Sequence, residues 1–132
     1  LLAKLPFRSV LAGALHEAYY DPTLVTDADI DAYYAPTRSR NGLTAFLARM
    51  RRDTTLDRSG IVRGIRAPTL VILGEVDRLV PLSVGRRYGE IIAGSRVVVI
   101  EKAGHVPQEE RPDAVLSVID AWQKGLSPFS EK

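Results

Sequence analysis

With 132 residues, 45% of them hydrophobic and 26% charged, the chain has the length and composition of one ordinary soluble globular domain. Its net charge of +2 is the balance of 18 basic and 16 acidic side chains interspersed along the sequence, which argues against the clustered cationic face that a nucleic-acid partner requires. The absence of cysteine excludes disulfides and thiolate metal sites, and no apolar run approaches the roughly 20 residues that span a bilayer, so no membrane partner is expected.

Residues 1 to about 66 read as helical with short interruptions. Leu11, Ala14, Leu15, Ala18 and Tyr19 recur at spacings of three and four, the mark of a helix with one apolar face, and Asp21-Pro22 stops it. Thr26, followed three residues later by Asp29, predicts a capped short helix through Tyr33 and Tyr34 that Pro36 ends. Asn41 is placed to cap a third helix carrying Leu43, Phe46, Leu47 and Met50 on one side, and a further helical piece is expected around Asp57 to Ile65.

From Pro68 the pattern changes. Thr69 to Leu73 and Val97 to Ile100 are short continuous runs rich in branched residues, as expected for strands buried on both faces of a parallel sheet. Between them Leu82 to Ala93 predicts a helix with Pro81 near its first turn and Gly94 at its end. Pro112 opens a last helix through Trp122 and Lys124, closed by Gly125. Strand, helix, strand, helix implies an α/β protein whose two strands are parallel. Two such strands leave a sheet uncovered, so more of the sheet is expected to precede Leu1. Met50 is the only methionine, and the chain reads as an excerpt of something longer. The first residues lack the ordered regions of a secretory signal, and a cytoplasmic location is the expectation.

Each strand run is followed directly by a polar loop. Gly74-Glu75-Val76-Asp77-Arg78-Leu79-Val80-Pro81 follows the first, and Gly104-His105-Val106-Pro107-Gln108-Glu109-Glu110-Arg111-Pro112 the second. Such loops are where an open α/β sheet presents reactive side chains, so an acid and a base fall at the same end of adjacent strands. The stretch from Ile65 to Pro112 closely resembles the C-terminal part of α/β-hydrolase fold enzymes, with Gly-x-x-Asp-x-x-x-Pro after one strand and Gly-His-x-x-x-x-Glu-x-Pro after the next. The resemblance implies a partial α/β-hydrolase fold: a helical lid or cap segment over residues 1–66, then the last two parallel strands of the core over residues 67–132. It places the triad acid on Asp77 and the triad histidine on His105. Glu110 matches the pattern as well and reads as structural, bonding backbone or an arginine.

The family's nucleophile belongs to a Gly-x-Ser-x-Gly elbow upstream of the acid and histidine. No serine of this chain, Ser9, Ser39, Ser59, Ser83, Ser95 and Ser117 among them, lies in such an elbow. The expectation is therefore an acid-and-base piece of a hydrolase of esters or related acyl bonds, acting on a small-molecule substrate in the intact parent and inactive alone. An aspartate nucleophile in the parent would instead mean epoxide or haloalkane hydrolysis. The third reading is a non-catalytic binding module, and the uncovered sheet edge predicts self-association, including a dimer in which two copies pair their sheets. No metal and no cofactor is expected, because the chain has neither a cluster of ligands nor a phosphate-cradling glycine loop.

The remaining candidates are weaker. Tyr19, Tyr20, Tyr33 and Tyr34 fall in the lid segment, and in epoxide hydrolases of the family lid tyrosines hydrogen-bond the substrate oxygen, which makes these four the candidate substrate-binding residues. The alternative is that the rings seat the lid on the core, since adjacent pairs on a helix cannot both point into one pocket. His16 reads as a packing or solvent residue, and Glu75 and Arg78 as residues that solvate the Asp77 loop.

Overall fold

The computed structural model describes residues 7–50 and 59–125. The first part is helical: α1 (Phe7–Ala18), α2 (Asp27–Tyr34), α3 (Arg40–Met50) and α4 (Ser59–Arg63), with 3-10 turns at Pro22–Leu24 and Ala35–Arg38. Helix α2 begins where the sequence predicts. The Thr26 hydroxyl accepts the Asp29 backbone N–H while the Asp29 carboxylate accepts the Thr26 N–H, so two of the N-terminal donors that a helix leaves unpaired are satisfied reciprocally. Helix α3 starts two residues earlier than a cap at Asn41 would give. Asn41 lies inside it, and the hydroxyl that accepts a first-turn N–H, that of Gly42, belongs to Ser39. The helix expected near Asp57 to Ile65 is the short α4, and residues 51–58 lie outside the described residues.

Leu15, Ala18, Tyr19 and Ile30 form the buried cluster of this part, with Ala12, Val25 and Val106 packed against it. Phe7 lies edge-on to Phe46 at 5.0 Å between ring centroids, so the start of α1 also meets α3. On the outer surface Arg8 pairs with Asp27 and Asp31 of α2.

The second part contains β1 (Leu70–Gly74), α5 (Leu82–Ile91), β2 (Arg96–Ile100), α6 (Pro107–Glu110) and α7 (Pro112–Gln123). The strands pair in parallel, in a register that runs from Leu70 opposite Arg96 to Gly74 opposite Ile100. Helix α5 lies close on both. A Cβ on Gly85 would stand 2.2 Å from a Leu73 methyl, and one on Gly89 would stand 2.2 Å from a Val97 methyl. Gly94 and Gly125, at φ 72° and 67°, turn the chain after α5 and α7 in the left-handed conformation that glycine adopts without strain. Ile100, Ala103, Val115 and Val118 form the second buried cluster, joined by Leu70, Ile72, Val98, Ala114 and Ile119. The strand runs differ from expectation in their burial. Leu70 to Leu73 and Arg96 to Val99 are only half-buried, because the sheet among the described residues consists of these two strands.

Candidate functional site

The register of the sheet decides where the two polar loops begin. Gly74 and Ile100 are opposite each other at the strand ends, so both loops leave the sheet at one level. Beyond β1 the pairing continues into the loops, with Glu75 N–H donating to the Ile100 carbonyl at 2.9 Å and Val76 N–H to that of Ala103 at 3.0 Å. The Glu75 carboxylate accepts the N–H of Lys102, a residue held at φ 51°, and thereby fixes the turn after β2. A Cβ on Gly74 would lie 1.8 Å from the Gly104 carbonyl oxygen, so glycine is required for the loops to approach this closely.

Within this arrangement His105 Nδ1 meets Asp77 Oδ2 at 2.8 Å. The other Asp77 oxygen accepts the backbone N–H groups of Leu79 and Val80, at 2.9 and 2.8 Å. Burial pushes the Asp77 carboxyl up, but the bonds from His105, Val80 and Leu79 outweigh it and hold the group below the usual carboxylate value. Asp77 is therefore ionised at neutral pH and can only accept, which requires Nδ1 of His105 to carry a proton; in the neutral ring the lone pair then lies on Nε2. The exposures are unequal in the same sense: the Asp77 side chain is 11% exposed, the His105 side chain 41%. A nearly covered acid thus orients a reachable base.

The four tyrosines of the helical segment separate. Tyr19, 5% exposed, and Tyr33 both donate their hydroxyls to one carboxylate, that of Glu109 on α6. Burial first, and then the bond to Glu109, push the Tyr33 hydroxyl up to about 12, and the same causes raise that of Tyr19 further. Tyr34 packs its ring near Phe7, and Tyr20 is exposed. A shallow depression beside Glu109 is lined by Tyr19, Leu24, Asp29 and Tyr33, and neither Asp77 nor His105 reaches it.

Four further hydrogen bonds hold this region. Glu110 accepts backbone N–H groups from Gly104, at 2.6 Å, and from Tyr20, at 2.7 Å. Arg78 donates to the Tyr19 carbonyl at 2.7 Å, and His105 N–H to that of Ala18 at 2.6 Å. Arg78 and Glu75, read from the sequence as solvating residues, have definite partners. The only sequence signal for them was their position beside Asp77. Glu109 was missed altogether, although it stands next to the motif's Glu110. Among the described residues no cluster of three or more His, Asp or Glu side chains could hold a metal ion, and no helix is long and apolar enough to cross a membrane.

The fold and this pair of loops define an α/β-hydrolase arrangement, and the comparisons with known proteins agree. Residues 2–118 match the model of the alpha/beta hydrolase family. The chain belongs to that family. It is 32% identical over 111 residues to Epoxide hydrolase A of Mycobacterium tuberculosis (strain ATCC 25618 / H37Rv), an alignment covering 80% of this chain and 34% of that protein. It is 27% identical over 109 residues to Lipase 3 of Moraxella sp. (strain TA144), covering 81% and 34% respectively. Among solved structures, a serine hydrolase involved in carbazole degradation (CarC enzyme) superposes with a TM-score of 0.78 at 22% identity, over 94% of this chain and 50% of that one. The chain thus spans about a third of the length of the curated relatives it matches.

Proposed function

We propose that this chain is the acid-and-base part of a hydrolase, with residues 1–66 serving as lid and residues 67–132 as the closing part of the core. The observation that carries the reading is the 2.8 Å contact between His105 Nδ1 and Asp77 Oδ2 at the ends of adjacent parallel strands. In it, Nε2 of His105 takes a proton from the nucleophile or its attacking water and returns it to the leaving group, while Asp77 keeps the ring in the required tautomer and stabilises the imidazolium. The nucleophile comes from outside these 132 residues, because no Gly-x-Ser-x-Gly elbow occurs within them. The substrate is a small molecule with an ester or related acyl bond.

Epoxide hydrolysis through an aspartate nucleophile is the second reading, favoured by the 32% identity to Epoxide hydrolase A. Against it, the hydroxyls of Tyr19 and Tyr33 are already donated to Glu109 rather than open to a substrate oxygen.

The test uses the protein as its gene encodes it, assayed against a panel of activated esters and simple epoxides. Asp77→Asn and His105→Ala should each lower turnover by about 10³- to 10⁴-fold, with the folded fraction unchanged by circular dichroism. The 132-residue chain alone should give no turnover above water. Variants that keep turnover within a few-fold of the parent would remove the assignment, and preference for epoxides over esters would select the second reading.

A further inference from the structure

The C-terminal end of α1 is gripped by both polar loops at once. The last carbonyls of a helix have no intrahelical partner, and here they take theirs from the loops of the candidate site. Ala18 O accepts the His105 N–H at 2.6 Å, and Tyr19 O accepts Arg78 Nη1 at 2.7 Å. The next two backbone N–H groups, of Tyr20 and Asp21, point to Glu110 Oε2 at 2.7 and 3.4 Å. The other oxygen of Glu110 holds the Gly104 N–H at 2.6 Å, on the residue before His105. The approach is close enough that a Cβ on Gly104 would fall 2.2 Å from Ala18 O and 2.7 Å from Tyr20 N. Of four consecutive lid-segment residues, Ala18, Tyr20 and Asp21 are thus bonded to the loop of His105 and Tyr19, between them, to the loop of Asp77.

We propose that Arg78 and Glu110 are positioning residues, which use this strip of lid backbone as a template to hold the acid loop and the histidine loop at the spacing that the Asp77–His105 bond needs. The proposal rests on the reading of Asp77 and His105 as acid and base. The chemistry suits the role. The Arg78 guanidinium sits at the carbonyl end of α1, where the helix dipole is negative, and the Glu110 carboxylate gathers three N–H donors in charge-assisted bonds. If the strip shifts, His105 moves with Ala18 and Gly104, and Asp77 follows Arg78. Seating of the lid and alignment of the pair are then one event.

The experiment compares Glu110→Gln, Arg78→Leu and Arg78→Lys in the protein as its gene encodes it. Steady-state kinetics are read together with the ring-nitrogen NMR shifts of His105, which report the nitrogen that carries the proton. Misplacement by about 1 Å can cost on the order of 10²-fold, so Glu110→Gln and Arg78→Leu should lower kcat by about tenfold or more with KM nearly unchanged. Their ring-nitrogen shifts should move toward the tautomer mixture of a free imidazole. Arg78→Lys, which keeps a cationic donor for Tyr19 O, should restore both readouts. If Glu110→Gln does not fold, the Arg78 pair decides alone. Unchanged ring-nitrogen shifts in the Arg78→Leu protein, or a rise in KM with kcat preserved, would overturn the proposal. Should the parent protein hydrolyse nothing, the reading of Asp77 and His105 as acid and base fails, while the NMR shifts still decide whether Arg78 and Glu110 set their spacing.

Discussion

The helical segment and the sheet segment are each organised around a small apolar cluster, but the seam between them is built mainly from polar bonds. Around Leu15, Ala18, Tyr19 and Ile30 the contacts are side chain on side chain, as they are around Ile100, Ala103, Val115 and Val118. At the seam Val106 packs against the helical cluster, and hydrogen bonds join backbone of the helical segment to the two polar loops and the hydroxyls of Tyr19 and Tyr33 to Glu109. Apolar contacts resist unfolding but are non-directional, whereas a hydrogen bond fixes a distance and an angle. The clusters therefore hold the fold, and the seam holds the geometry of the Asp77–His105 pair.

That division can be broken at several points, in descending order of effect. Ile100, 4% exposed, belongs to the sheet cluster, and Ile100→Ala should cost about 2 to 5 kcal/mol, read as a lower urea midpoint with an unchanged slope. Gly74→Ala drives a methyl into the Gly104 carbonyl and should cost about 1 to 3 kcal/mol, and it should also part the two loops, so that activity falls further than stability. If Gly74→Ala lost stability alone, the close approach of the two loops would not be setting the geometry of the pair. Thr26→Ala removes the α2 cap far from the pair, and should cost about 1 kcal/mol while leaving kcat unchanged.

The smallest effect depends on pH. The neutral Tyr33 hydroxyl is favoured by folding, so its contribution is complete below the ordinary value of 10.0 and is lost as pH rises through about 12. A Tyr33→Phe protein should show a flatter fall in stability over that alkaline range and little change at neutral pH. Asp77 has the opposite sign. Its contribution is present above the ordinary carboxylate value of 3.8 and is lost as pH falls through its lower folded value, a loss that Asp77→Asn should abolish.

Much of this was legible in the sequence where the signal is local. The Thr26 and Asp29 box, the two branched runs that became β1 and β2, and the glycines ending α5 and α7 all act within a few residues of themselves. The family and the placing of Asp77 and His105 behind parallel strands followed from two short motifs in order. Helix α6 was not legible, because the four residues Pro107–Glu110 are too short to show a period. The bond from Tyr20 to Glu110 joins residues 90 apart, and no pattern in one sequence announces such a contact. The choice of Ser39 over Asn41 beside α3 turned on a two-residue shift of the helix start, which is within the usual uncertainty of a helix boundary.

The common level at which β1 and β2 end has a consequence for how such chemistry diversifies. Acid, base, the glycines that let their loops meet and the strip that spaces them are all drawn from one continuous stretch of chain, from Ala18 to Glu110. On the proposed reading of Asp77 and His105 as acid and base, a proton relay that carries its own jig is a portable cassette. Paired with a serine or with an aspartate it would present the same Nε2 lone pair to either, so the identity of the attacking atom, and with it the bond that is cut, can change while the relay stays as it is.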